Sequence, residues 1–502
     1  HVQFPDSWDT LEAAKRRQAF EELFLMQVIL ALRRPRMTSR EKPRRYQPEG
    51  AVVDTLRRRL PFALTDSQRT VLEELVHDLC QPCPMLRLLQ GDVGSGKTVV
   101  AAFLMAVVVQ SGYQVAVMVP TELLAEQHHR VLRGYFEPLG VTVRLLSQGV
   151  SAMRRTRLTH EIATGAIDIV VGTHALIEAP VTFAKLALVV IDEQQKFGVV
   201  QRSTLARKGH LPDVLGMTAT PIPRTLALSI YGDLLASTVT ELPPGRLPIR
   251  SQWCRESQRP DVYRMIKEEL RQGRQGYIVY PLVEPVRRRS GLDPEETRRV
   301  DATDRQELKA ATQMARQLQA DIFPDCRVAL LHGQMRPKEK ERIMGAFVEG
   351  RIQLLVSTVI VEVGLDVSNA TVMVIEHPER FGLAQLHQLR GRIGRGSHPA
   401  ICVVISDTTE DTAQQRLKAF ISTTDGFRLA EHDLQLRGPG ELLGKRQHGW
   451  LRFRVANLAR DQALLETARQ EAFSLVANDP QLAGPDLSSL RQRLGKWRVR
   501  TG

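Results

Sequence analysis

From Leu64 onward the chain alternates short blocks of Val, Ile and Leu with longer stretches patterned at helical spacing. The blocks are MLRLLQ (85–90), VAVMVP (115–120), IDIVVGT (167–173), LALVVIDE (186–193) and VLGMTAT (214–220). Short blocks that are nearly apolar throughout predict strands buried on both faces, as in a parallel sheet flanked by helices. ELPPGRLP (241–248), dense in Pro and Gly, reads as a linker. A second series follows it: GYIVYPLVE (276–284), RVALLHG (327–333), IQLLVST (352–358), TVMVIEH (371–377) and AICVVISD (400–407). The pattern predicts an α/β fold with two parallel-sheet units in tandem.

Ahead of these units, residues 7–35 read as one long helix. Ser7 or Asp9 can cap it, and Leu11, Ala14, Phe20, Leu23, Phe24, Gln27 and Leu30 recur at helical spacing. Pro35 is expected to end it. After Asp407 the strand blocks stop, and the remainder reads as mainly helical with a Gly-rich interruption at RGPGELLG (437–444). Residues 286–306 carry both charge signs without periodicity and read as a mobile surface insertion. The expected organisation is a linker helix and basic stretch (1–50), a first α/β domain (51–245), a second (246–408) and a helical region (409–502).

Composition narrows the class. At 502 residues the chain has room for about three domains at ~150 residues each. The apolar run Val99–Val109 is 11 residues long, against ~20 for a bilayer crossing, so no membrane span is expected. No basic segment followed by an apolar one opens the sequence, so no signal peptide is expected. The first residue is His, and the chain reads as a piece with something upstream of it. Five cysteines form no disulfide framework and fit a reducing compartment. Cys80 and Cys83 form a lone CxxC without a second pair at zinc spacing, and read as two thiols near a helix end. Net charge is +13, and residues 33–59 hold ten Lys/Arg against three acids. Such a run suits a phosphate backbone or a solvated linker.

The chemistry starts at GDVGSGKT (91–98), which fits GxxxxGK[ST] between a strand block and a helix block. Its glycines let backbone N–H groups approach phosphates. Lys97 is placed to reach the β and γ oxygens of ATP, and Thr98 to hold Mg²⁺. Asp192 and Glu193 end a buried strand, where open α/β sheets bind ligands. One carboxylate suits the Mg²⁺ shell and the other suits orienting and deprotonating water. Arg392 and Arg395, in QLHQLRGRIGRG (385–396), are three apart and would share a helix face, placing guanidinium groups for a transferring phosphate. With these arginines in the second unit, hydrolysis is expected to need both units, coupling chemistry to domain movement.

Together with LPFALTDSQ (60–68), PTELLAEQH (120–128), VGTHALI (171–177), GMTATPIPRTLALSIYGDL (216–234), ELPPGRLPIRS (241–251), LLHGQM (330–335), STVIVEVGLDVSNA (357–370) and DGFRLAEHDLQLRGPGELLGKRQHG (425–449), these stretches form an ordered set. The chain resembles the superfamily-two helicases, and among them the RecG family of ATP-dependent branched-DNA translocases, over almost its whole length. The resemblance implies two RecA-like motor domains, a helical translocation region, Mg²⁺ and ATP, and action on stalled forks and Holliday junctions. It implies that Gln68 reads the adenine edge with Phe62 packing nearby. Gly91, Gly94, Gly96, Gly364, Asp366 and Gln388 would lie near the nucleotide. Thr121, Thr173, His174 and Thr358 would contact the DNA backbone, and Thr218 and Thr220 would couple nucleotide state to DNA grip. Arg416, Arg437 and Gln447 match the family's translocation motif, a lever turning closure into duplex movement. Branched or forked DNA and the single-stranded-DNA-binding protein are the implied partners, with a monomer working at the bacterial nucleoid.

Three departures stand out. Gln195 replaces the usual His of the acidic box and cannot titrate. Val359 replaces a second Thr. The family's N-terminal wedge, an OB-type barrel at the junction, has no counterpart pattern here. The transcription-repair coupling translocases share the motor, and a binding scaffold with a dead motor is a different class. YGDL, ELPPGR and RGPGE favour the RecG type, and the intact Lys97, Thr98, Asp192, Glu193, Arg392 and Arg395 argue against a dead motor.

Overall fold

The computed structural model describes residues 7–38, 41–147, 151–220, 235–243, 247–281, 312–358, 367–437, 453–457 and 460–501. Contacts divide the chain into two compact units, His1–Glu241 with Ala430–Gly502, and Leu242–Leu429. The first unit is built on a seven-stranded parallel sheet in the order β3-β4-β2-β5-β6-β1-β7. Its strands are β1 (Leu86–Gly91), β2 (Gln114–Met118), β3 (Val143–Leu146), β4 (Ile169–Gly172), β5 (Leu186–Ile191), β6 (Asp213–Thr218) and β7 (Leu235–Val239). The unit opens with α1 (Trp8–Thr38), and around the sheet stand α2 (Ala51–Arg59), α3 (Asp66–Cys80), α4 (Lys97–Gln110), α5 (Glu122–Phe136), α6 (Ala152–Thr164) and α7 (Val199–Ala206). Alternate residues of the central strands enter cores on opposite faces, Val115 and Val117 on one, Ala116 and Met118 on the other. Burial on both sides is why these strands are apolar at every position.

The second unit carries a six-stranded parallel sheet in the order β10-β11-β9-β12-β13-β8. The strands are β8 (Arg250–Cys254), β9 (Gln275–Val279), β10 (Val328–Leu331), β11 (Leu354–Ser357), β12 (Ala370–Glu376) and β13 (Ile401–Ile405). Its helices include α8 (Arg259–Arg271), α9 (Pro337–Val348), α10 (Leu383–Arg390) and α11 (Asp411–Ser422). Renumbered from its own first strand, this order repeats six strands of the first sheet. The repeat extends to single residues after β5 and β12. Glu193 and His377 both adopt left-handed backbone (φ 49° and 48°). Each opens a short 3₁₀ turn leading through Phe197-Gly198 or Phe381-Gly382 into a helix. Gly198 and Gly382 each donate their N–H to a Gln three residues on, Gln201 and Gln385. In this register Glu376 is the counterpart of Asp192.

α1 runs three residues beyond Pro35, where the sequence predicted its end. A proline removes one ladder bond and one N–H but leaves the following turns able to continue. Ser7 and Thr10 cap its start by exchanging bonds between backbone N–H groups and hydroxyls. Three more helices follow in the sequence, α12 (Gly426–Arg437), α13 (Gln462–Asn478) and α14 (Ser488–Thr501). Leu23, Met26 and Leu30 of α1 pack on Leu465 and Ala468, and Val28, Ile29 and Ala31 pack on Ala472, Val476 and Leu494. The Glu22 carboxylate accepts the backbone N–H groups of Arg454, Val455 and Ala456 at 3.0–3.1 Å.

The basic run is partly internal. Lys42 Nζ lies 2.8 Å from Asp213 Oδ1, Arg44 Nη2 3.2 Å from Oδ2, and the Tyr46 hydroxyl donates to Oδ2 at 2.6 Å. Asp213 is fully buried, and Arg44 also donates to the carbonyls of Ala187, His210 and Leu211. Lys42 and Arg44 therefore fasten the strap 41–47 to the sheet, at the end of β6 opposite Thr218, and do not face a polyanion.

Candidate nucleotide and DNA site

Because every strand of the first sheet runs the same way, their C-terminal ends line one edge. Gly91 ends β1, Thr218 ends β6, and Thr121, Thr173 and Asp192 follow β2, β4 and β5 within three residues. The loop after β1 needs its glycines. Gly94 and Gly96 have φ of 79° and 84°. A Cβ on Gly96 would meet Gln68 Nε2 at 2.2 Å, and one on Gly91 would meet Ser95 Oγ at 2.4 Å. Lys97, 9% exposed, donates to the carbonyls of Gly91 and Asp92 at 2.7 and 2.8 Å. Ser95 Oγ is buried inside the loop without a partner among the described residues. An orphaned hydroxyl, a lysine and a helix N-terminus converging on a glycine loop suit a polyphosphate. Thr98 is half-buried in the first turn of α4.

Gln68 is almost fully buried. Its Oε1 accepts the Thr65 N–H at 3.0 Å and its Nε2 donates to the Ser95 carbonyl at 2.8 Å. It thus closes the N-terminal capping box of α3 and ties that helix to the phosphate loop. Phe62, 43% exposed, stands ahead of it.

Asp192 is held by two donors. The Glu193 N–H reaches Oδ1 at 2.9 Å and His128 Nε2 reaches Oδ2 at 2.8 Å. Burial pushes this carboxyl up. The His128 hydrogen bond and charge, the Lys97 ammonium and the Glu193 N–H outweigh it and hold the group below the usual carboxylate range. One lone pair on each oxygen is left for a cation or its waters. Glu193 is half-buried and accepts a bond from Gln195 Nε2. Gln195 therefore acts on its neighbour in the acidic box. Glu193 is a non-glycine residue in left-handed backbone, a local cost typical of functional sites.

The expected DNA-side residues gather on the same edge. Thr121 caps α5 by accepting the Leu124 N–H at 3.3 Å. Thr173, buried, donates to Glu122 Oε1 at 3.1 Å. His174 is exposed and its ring lies 5.8 Å from that of Phe197. The hydroxyls of Thr218 and Thr220 are 2.7 Å apart.

In the second unit α10 stops at Arg390, capped by Gly391, and Gly394 is left-handed (φ 66°). Arg392 and Arg395 thus stand in the turn beyond the helix and share no helix face, which corrects the expectation. Arg392 is buried, Arg395 is half-buried with Nε donating to the Gly391 carbonyl at 3.1 Å, and Gln388 is half-buried on α10. Thr358 is buried with its hydroxyl unpartnered among the described residues. Arg416 on α11 donates to the carbonyls of Phe381 and Glu379 at 3.4 and 3.3 Å. Gly364, Asp366, Gln447 and the 286–306 segment lie outside the described residues, as does the side chain of Arg437, the last residue of α12.

Sequence reasoning missed two residues. His128 lay in a quoted motif, but no spacing linked it to Asp192. Arg390 is fully buried, donates to the Phe420 and Thr423 carbonyls at 2.9 Å, and sits 4.6 Å over the Phe420 ring. No described helix is long and apolar enough to cross a membrane.

Residues 65–228 match the DEAD/DEAH box helicase family, 300–397 the helicase conserved C-terminal domain, and 423–501 the C-terminal part of domain 3 of ATP-dependent DNA helicase RecG. The chain is 45% identical to the ATP-dependent DNA helicase RecG of Synechocystis over 99% of its own length and 58% of that protein. It is 44% identical to that of Bacillus subtilis, over 99% of itself and 70% of the relative. A structure of RecG bound to a three-way DNA junction matches with a TM-score of 0.74 at 41% identity, over 92% of this chain and 58% of that one. The chain thus spans about three fifths of the length of some relatives. With this identity along nearly its whole length, over a sheet edge that sets a phosphate loop beside Asp192 and Glu193, the chain belongs to the RecG family of ATP-dependent DNA helicases.

Proposed function

We propose that the protein hydrolyses ATP to translocate on double-stranded DNA and to remodel branched DNA such as stalled replication forks and Holliday junctions. The observation that carries the reading is the convergence of Lys97, the glycine loop and the Asp192–Glu193 pair at one sheet edge. The branched-DNA part is supported by the related RecG structure with a three-way junction.

On this reading the loop N–H groups and Lys97 bind the β and γ phosphates, with Phe62 and Gln68 toward the adenine. Thr98 and Asp192 hold Mg²⁺, which when bound neutralises phosphate charge. Glu193 orients water and accepts its proton, with Gln195 steadying the carboxylate. Arg392 and Arg395 stabilise charge on the transferred phosphoryl group, a role worth ~10³–10⁵ in rate. Gly364, Asp366 and Gln388 act at the nucleotide from the second unit. Thr121, Thr173, His174 and Thr358 grip the DNA backbone, Thr218 and Thr220 relay nucleotide state, and Arg416, Arg437 and Gln447 form the lever. A monomer at the bacterial nucleoid, partnered by single-stranded-DNA-binding protein, is carried by the resemblance alone.

Phosphate release from the purified chain, with and without three-way-junction DNA, tests the reading. Stimulation by DNA is expected. Binding should be sequence-blind, with log affinity falling against log salt by about 0.9 per phosphate neutralised. DNA binding without hydrolysis would instead identify a scaffold.

A further inference from the structure

The contact that the sequence did not foretell lies between α5 and the end of β5. His128 is 6% exposed, and its Nε2 is 2.8 Å from Asp192 Oδ2. A carboxylate has no proton to give, so the imidazole Nε2–H is the donor. The other oxygen is fixed by the Glu193 N–H at 2.9 Å. The carboxylate plane is therefore set from both sides, by its own strand end and by a neighbouring helix.

The second sheet shows the alternative use of the same position. Glu376, the counterpart of Asp192, is gripped by Arg259 through Nη1–Oε1 at 2.5 Å and Nη2–Oε2 at 2.9 Å. A two-pronged guanidinium engages both oxygens and supplies a full countercharge. The hydrogen bonds leave Glu376 the same open lone pairs as Asp192, but its charge is already matched by the guanidinium, so it attracts a cation less. His128 presents one N–H to one oxygen, which orients the carboxylate and leaves a lone pair on each oxygen open. Groups that orient a metal-binding carboxylate in this way typically change metal affinity 10–100-fold when removed.

We propose that His128 is a positioning residue for hydrolysis, presetting the Asp192 carboxylate for Mg²⁺–nucleotide from helix α5. The proposal rests on the reading of Asp192 as a Mg²⁺ ligand. His128 sits two turns along from Thr121, about 10 Å at helical rise. The helix that begins at a proposed DNA contact thus also holds the metal-binding acid.

The test uses the full chain and a fluorescent ATP analogue, titrated with Mg²⁺ to find the concentration that half-saturates nucleotide binding. His128→Leu keeps bulk without a donor, and His128→Gln restores a donor at similar reach. Leu should raise the Mg²⁺ midpoint about 10-fold or more, and Gln should stay within about 3-fold of the parent, whatever the melting temperatures do. Asp192→Asn is run beside them. A parental midpoint for Leu, or equal shifts for Leu and Gln, with Asp192→Asn shifted, overturns the role of His128 while sparing that of Asp192. No shift in Asp192→Asn overturns the Mg²⁺ reading itself.

Discussion

The carboxamide of Gln194 occupies the space that a methyl group on Gly216 would need: a Cβ built there lies 1.4 Å from Gln194 Oε1. Gly216 pairs with Ile191 across β6 and β5, one residue before Asp192. Gln194 follows the acid pair and is buried, so only a strand residue without a side chain lets it close onto the sheet. Gly216→Ala is expected to displace Gln194, lower stability by ~1–3 kcal/mol, and slow hydrolysis by shifting Glu193. Adding Gln194→Ala should recover part of the stability. A double-mutant cycle on the unfolding of the first unit measures this, and additivity would mean the two side chains do not collide.

Asp213 makes a second prediction. Its carboxylate faces Lys42, Arg44 and Tyr46 in a fully buried setting. Asp213→Asn keeps the size but leaves two buried cations without their countercharge, at an expected cost of ~3–5 kcal/mol. Breaking the ion pair of the exposed Arg157, by Glu161→Gln, should cost far less. Thermal melts of the two variants give the comparison.

The same cluster sets an alkaline limit. Burial, and then the Asp213 charge, push the Tyr46 hydroxyl far above its ordinary value. An unfolded tyrosine ionises near ~10 while the folded one stays protonated. The stability this difference supplies is therefore full below about pH 10 and is lost as pH rises above it. Tyr46→Phe should flatten the decline of melting temperature above pH 10. An unchanged slope would assign the decline elsewhere, for example to Tyr280, which burial also raises.

Gln27 lies in the middle of α1 with no exposed surface, and neither amide atom has a partner among the described residues. Its place in the apolar spacing of α1 was visible in the sequence. Gln27→Leu should stabilise the packing against α13 and α14 by ~1–3 kcal/mol by removing an unsatisfied polar group. A lower melting temperature would show that the amide is satisfied in solution.

How far the sequence could be read follows from where each element lies. The doubly buried strands announced themselves as unbroken apolar blocks, and so did the tandem arrangement. The strands it did not announce, β3, β7 and β8, all stand at sheet edges. Edge strands are covered less, so RSQWC alternates exposed and half-buried positions up to a buried Cys254 and carries no apolar block. The phosphate loop and the acid pair were legible because their chemistry is local. The His128–Asp192 and Lys42–Asp213 contacts span 64 and 171 residues, and nothing in spacing or composition reports such partners. The assumed helix face for Arg392 and Arg395 failed because Gly391 caps α10 just before them.

The central claim is that Lys97 binds the nucleotide while Glu193 performs the chemistry. It is tested most directly by measuring ATP binding and DNA-stimulated phosphate release on Lys97→Ala and Glu193→Gln side by side. The account predicts that Lys97→Ala loses both, through loss of a phosphate contact. Glu193→Gln should bind ATP as the parent does, because Asp192 and the loop are intact, yet release no phosphate. Equal loss of ATP binding in both variants, or substantial phosphate release by Glu193→Gln, would contradict it.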